Sequence, residues 1–111
     1  MTQLRKKSCQ PCEGGVAPMN LALARELMAQ IPKWTLEESE PALFRTFRFR
    51  NFYETMAFVN AIAYVANRED HHPDMRIGYK ECVVRYQTHA IGGLSENDFI
   101  CAAKIDRIPI S

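Results

Sequence analysis

Three histidines, His71, His72 and His89, are the side chains of this 111-residue chain best suited to moving protons near neutral pH. His71 and His72 are adjacent and follow Asp70, a carboxylate able to orient a ring, and His89 lies further along. If the segments flanking Lys80-Glu81 pair as an antiparallel hairpin, His89 falls opposite His72. A turn centred on Gly78-Tyr79 changes that register by only a few residues. In either register the three rings converge, and such a cluster can both give and accept a proton. That equipment suits a dehydration or an isomerisation.

Other chemistries fit less well. Three histidines and an acid are enough ligands for a catalytic zinc ion. Successive side chains of an extended segment diverge, however, so His71 and His72 are poorly placed to share one ion. Cys9 and Cys12 have the C-x-x-C spacing of redox and zinc sites, but they stand in a polar stretch with no preceding strand and no second pair to complete a tetrahedral set. No Ser or Cys occupies a nucleophile elbow and no glycine-rich phosphate loop occurs, which sets aside acyl, phosphoryl and hydride transfer.

Composition narrows the partners. Fourteen Lys+Arg against thirteen Asp+Glu give a formal net charge of +1, so no global field draws the chain to nucleic acid or anionic lipid. No apolar run of about 18 residues offers a membrane span. Arg5, Lys6 and Lys7 are followed by polar residues rather than an apolar core, so no secretory signal is read, and a cytoplasmic protein with free thiols at Cys9, Cys12, Cys82 and Cys101 is expected.

The elements that position the histidines follow from periodicity and caps. Residues 1–17 read as a flexible N-terminal tail, and residues 18–111 as one domain. Asn20 caps a helix running to about Gln30, stopped by Pro32. Strands are expected over Trp34 to Glu37 and Ala42 to Arg50, joined at Ser39-Glu40-Pro41. Asn51 with Glu54 resembles a capping box and opens a second helix whose apolar stripe is Phe52, Met56, Val59, Ala63 and Ala66. It ends near Asn67-Arg68, because Pro73 forces His72 out of the helical region. Two more strands, Met75 to Tyr79 and Cys82 to Thr88, precede a last helix that begins at Ser95-Glu96-Asn97-Asp98 and reaches about Asp106.

The order α-β-β-α-β-β-α, with short connections, predicts an α+β two-layer domain: a four-stranded antiparallel sheet with helices on one face. Phe44, Val84 and Tyr86 are then candidates for the open face, whose exposure predicts a homo-oligomer.

Four blocks in this order, Asp70-His71-His72-Pro73, Tyr79, Thr88-His89 and Gly93-Leu94-Ser95-Glu96-Asn97-Asp98, closely resemble the pterin-4a-carbinolamine dehydratase family, over about Ile31 to Lys104. The resemblance implies an enzyme, without metal or cofactor, that removes water from 4a-hydroxytetrahydrobiopterin to give quinonoid dihydrobiopterin, with the pterin as substrate and an aromatic amino acid hydroxylase as functional companion. It implies His71, His72 and His89 as the catalytic set, and Asp70 to His72 with Gln87, Thr88, His89 and Ala90 as pterin-binding segments. Asp98 matches the family's acid and serves equally as the first-turn acid of a helix; with Asp70 it is expected to orient the imidazoles. Some relatives carry an acid four residues before the first His of the pair. Here that position is Asn67, so a carboxylate's role there passes to Glu69 or is absent. Animal relatives of the fold also act as dimerisation cofactors of a homeodomain transcription factor, which makes a protein-interaction module the alternative reading.

Overall fold

Caps set the starts of the helices in the computed structural model, which describes residues 3–11 and 17–109. The Asn20 side chain accepts the Leu23 N–H at 2.8 Å and starts α1, Leu21–Leu27, which tightens into a 3-10 turn over Met28–Gln30 before Pro32. Asn51 accepts the Glu54 N–H at 2.9 Å and starts α2, Phe52–Glu69. The Glu54 carboxylate reaches back to the Arg50 N–H at 3.0 Å, one residue before the position a capping box uses. Ser95 and Asp98 form the capping box that opens α3, Glu96–Ile105.

Between the helices lie β1 (Thr35–Glu37), β2 (Ala42–Arg48), β3 (Asp74–Ile77) and β4 (Glu81–Tyr86). They form one antiparallel sheet in the order β1-β2-β4-β3. The expected α+β architecture and element order are therefore those observed. Pairing of Asp74 with Arg85 and Ile77 with Cys82 centres the β3-β4 turn between Tyr79 and Lys80, midway between the two anticipated centres.

Leu43 and Phe47 of β2 and Cys82, Val84 and Tyr86 of β4 are buried in the same core as Phe58, Val59 and Ile62 of α2 and Phe99, Ile100 and Cys101 of α3. Val84 and Tyr86 thus lie beneath the helices rather than on the open face. The register explains this: Arg45 pairs with Val84 and Leu43 with Tyr86, so both strands turn alternate residues inward together. Phe44 and Val83, both half-buried, belong to the opposite face. The α2 stripe is also rotated from expectation, with Thr55, Phe58, Val59, Ile62 and Ala66 buried. Phe52 is exposed and stacks on Tyr79 at 6.0 Å.

Residues 3–11 pack against the domain rather than trailing from it. Leu4, in a 3-10 turn over Leu4–Lys6, is 1% exposed and joins the core, its N–H donating to Gln30 Oε1 at 2.9 Å. Lys104 Nζ donates to the Arg5 carbonyl at 3.2 Å. One buried apolar residue in a polar stretch makes no periodicity, which is why this segment reads as a tail. Cys12 lies outside the described residues; Cys9, Cys82 and Cys101 are free.

Trp34 is a core residue whose indole N–H donates to Asp106 Oδ1 at 2.7 Å, and Arg45 Nη1 donates to the same oxygen at 2.6 Å. The Arg45 guanidinium also lies 4.2 Å from the centroid of the Phe47 ring. Asp106→Ala leaves an indole N–H and a partly buried guanidinium without their acceptor. We expect a loss of about 1–3 kcal/mol, read by thermal denaturation; a melting temperature equal to wild type would show that the cluster contributes nothing.

Candidate active site

The end of α2 aims the paired histidines. Asp70 takes a left-handed conformation at φ 51°, its N–H donating to the Asn67 carbonyl at 3.4 Å and the His71 N–H to the Ala66 carbonyl at 3.1 Å. This is a Schellman ending with Asp where Gly is usual, a conformation that costs an L-residue about 1 kcal/mol. The chain leaves the helix sharply. Pro73 keeps His72 extended, and the two rings part, His71 inward and His72 outward.

His71 is held on three sides. Its Nε2 lies 2.6 Å from Asp98 Oδ1, its ring stacks on Tyr86 at 5.3 Å and 11°, and the Tyr86 hydroxyl donates to its carbonyl at 3.2 Å. Asp98 is 0% exposed; its other oxygen accepts the Thr88 hydroxyl at 2.8 Å and the Ser95 N–H at 3.0 Å. A carboxylate can only accept, so the shared proton sits on His71 Nε2, and Nδ1 is the nitrogen left for proton exchange. Burial pulls the His71 pKa down. The hydrogen bond and charge of Asp98, with smaller contributions from Cys101 and Asp70, outweigh it and hold the pKa above the ordinary imidazole value.

Asp98 is therefore both helix cap and ring-orienting acid. Thr88 reaches it because an isolated bridge to Gly93, with Thr88 N–H on the Gly93 carbonyl at 2.9 Å, brings the end of β4 over the start of α3. Gly93 fits where a side chain would not: a Cβ there would lie 2.8 Å from Pro18 Cβ.

His72 is exposed, with Nε2 3.0 Å from Asn67 Oδ1. Asn67 thus occupies the place of the acid some relatives carry, and its amide oxygen favours the proton on Nε2, leaving Nδ1 as an acceptor. Glu69 turns to the N-terminal segment and to α3. Its carboxylate accepts the Cys9 N–H at 2.8 Å and lies 3.7 Å from Lys104 Nζ. His89 opens a 3-10 turn over His89–Ile91, closed by Gly92 at φ 65°, rather than ending a strand. Its exposed ring places Nε2 3.9 Å from Asp74 Oδ2.

These residues line one cleft of about 460 Å³, which takes in Asp70, His71, His72, Gln87, Thr88, His89 and Ala90. The structure thus brings both anticipated segments and all three histidines to one cavity. The Gln87 amide turns aside, donating to the Pro41 carbonyl at 2.9 Å. Cys9, Gln10, Pro11 and Asn97 complete the lining and were not anticipated; Glu69, anticipated as a residue to which a carboxylate's role could pass, lines it too. Among the described residues, no three His, Cys, Asp or Glu side chains are grouped so as to hold a metal ion. The two ring nitrogens of the pair engage different oxygens, on α3 and α2.

Comparison with known proteins bears on what this cleft serves. The model of the family described as pterin 4 alpha carbinolamine dehydratase matches residues 17–108. A relative from Nitrosomonas europaea named for pterin-4-alpha-carbinolamine dehydratase is 58% identical over 106 residues, covering 95% of this chain and 92% of its own. A relative of the same name from Legionella pneumophila is 51% identical over 108 residues, covering 96% of each. Among solved structures, the transcriptional coactivator/pterin dehydratase of Brucella melitensis is 26% identical, with a TM-score of 0.76 over 80% of this chain and 95% of that one. A pterin dehydratase-like protein described as a RuBisCO assembly factor of the alpha-carboxysome shares the fold, at 24% identity and a TM-score of 0.58 over 67% of this chain and 86% of that one. By sequence over nearly its whole length and by fold, the chain belongs to the pterin-4-alpha-carbinolamine dehydratase family of hydro-lyases.

Proposed function

We propose that this cleft dehydrates 4a-hydroxytetrahydrobiopterin to quinonoid dihydrobiopterin by histidine acid-base catalysis, with neither metal nor cofactor. The reaction breaks the bond between C4a and its hydroxyl, which leaves as water after taking a proton, while the adjacent ring nitrogen gives one up. One acid and one base are therefore required. His71 is the acid: its partnership with buried Asp98 favours the protonated ring, and Nδ1 is its open nitrogen. His72 and His89 supply the base, His72 through the Nδ1 that its Asn67 contact leaves unprotonated. The observation that carries the reading is the Asp98-His71 pair in a cleft that both other imidazoles also face.

As the family resemblance implies, the substrate comes from a pterin-dependent hydroxylase of aromatic amino acids, and the product is re-reduced. The half-buried Phe44 and Val83 on the open sheet face support self-association, as a dimer or tetramer, which light scattering on a sizing column measures. Stopped-flow absorbance of carbinolamine decay tests the activity. Acceleration proportional to protein concentration is expected, and decay at the buffer rate would refute it.

A further inference from the structure

We propose that residues 9–11 form a wall of the pterin pocket that selects substrate by fit, held in place by two positioning residues, Asn97 at the cleft and Leu4 at the far end. The inference rests on the dehydratase reading and extends it to a segment that lies outside the stretch matched by the family model, which begins at residue 17.

Cys9, Gln10 and Pro11 line the cleft with the histidines. The Asn97 side chain grips both polar groups of one peptide residue: Oδ1 accepts the Gln10 N–H at 2.9 Å, and Nδ2 donates to the Gln10 carbonyl at 2.5 Å. Such a two-pronged grip imitates a strand pair and needs an amide; neither a carboxylate nor an apolar side chain supplies both halves. Lys7 pairs with Glu96 at 2.8 Å and the Cys9 N–H with Glu69 at 2.8 Å, so the wall is tied to the first turn of α3 and the last of α2. Asn97 is buried, at 6% exposure, and immediately precedes Asp98. One helical turn therefore fixes the wall and the acid that orients His71.

The wall is built for contact rather than proton transfer. Gln10 and Pro11 do not titrate, and the neighbouring Cys101 thiol, burial and the nearby Glu69 push the Cys9 thiol well above its ordinary pKa, so it stays neutral. The Cys9 thiol turns inward, to Cys101 Sγ at 3.6 Å and the Asn97 carbonyl at 3.7 Å, so what the wall offers the cleft is Gln10, the Pro11 ring and the remaining surface of Cys9. These suit the flat face and aliphatic substituent of a pterin, and loosening them should weaken binding more than chemistry.

Two variants loosen the wall from opposite ends. Asn97→Ala removes the grip; Leu4→Ala removes the buried anchor, which does not line the cleft. Each should raise KM for the carbinolamine about five-fold, equivalent to about 1 kcal/mol, with a smaller change in kcat. Each should also speed deuterium exchange at the Cys9 and Gln10 amides, and thermal denaturation confirms that the domain is folded at the assay temperature. If Leu4→Ala does not fold there, Leu4→Val takes its place. Faster exchange with unchanged KM overturns the wall, and unchanged exchange overturns the anchoring. If wild type shows no dehydration but quenches biopterin fluorescence on binding, the same five-fold change is sought in the Kd for biopterin. If it neither dehydrates nor binds, the dehydratase reading fails and takes this inference with it.

Discussion

Replacing Asp98 with asparagine is expected to lower turnover by about 10²- to 10³-fold, the scale of removing one preorganised polar group from a reacting centre. The carboxylate accepts from His71 Nε2, the Thr88 hydroxyl and the Ser95 N–H, all in a fully buried position. An asparagine offers one acceptor oxygen, and its amide N–H2 must face at least one of those donors. The variant should therefore also lose about 1–3 kcal/mol of stability. The diagnostic result is in the pH profile. Without the charge and hydrogen bond of Asp98, burial dominates at His71 and its pKa falls. An acid catalyst works only when protonated, so the basic limb of kcat/KM should move to lower pH. A limb that stays in place would show that His71 is not the titrating acid.

His71→Gln is expected to lower kcat by about 10²- to 10⁴-fold, the usual worth of a general acid or base. It also removes a folded-state group with a raised pKa. Protonation of His71 stabilises the fold fully below the unfolded pKa, about 6.5, and that contribution is lost as pH rises through the higher folded value. The melting temperature of wild type should thus exceed that of His71→Gln most at about pH 5 and by less at about pH 8. A gap that widens with pH would contradict the direction of the shift. His72 and His89 are exposed and should cost little stability when replaced.

What could be read in advance was local. Asn20, Asn51 and Ser95 announce helix starts because a cap bonds within its own first turn, and Asp70-His71-His72-Pro73 announces a break because Pro73 acts on its neighbour. The convergence of His89 on the pair was legible through hairpin geometry, although the ring arrives on a 3-10 turn beyond the strand. The facing of β4 was not, because Val83 and Val84 are both apolar and only the pairing with β2 decides which is covered. That Asp98 orients an imidazole was expected only through the family resemblance, and which imidazole was not legible, because His71 lies 27 residues away and the acid is explained locally as a cap. The packing of residues 3–11 escaped for a related reason: Leu4 is a single apolar residue, and the grip of Asn97 is on the Gln10 backbone, which leaves no trace in side-chain pattern.

The claim on which the account stands is that imidazoles alone carry the dehydration. It is tested most directly by stopped-flow decay of the 4a-carbinolamine with wild type and with the His71→Ala, His72→Ala, His89→Ala triple variant, each after dialysis against a chelator. Chelated wild type should keep its full rate, and the folded triple variant should decay the substrate no faster than buffer. A triple variant that still accelerates decay, or a wild type silenced by the chelator and restored by zinc, would contradict it.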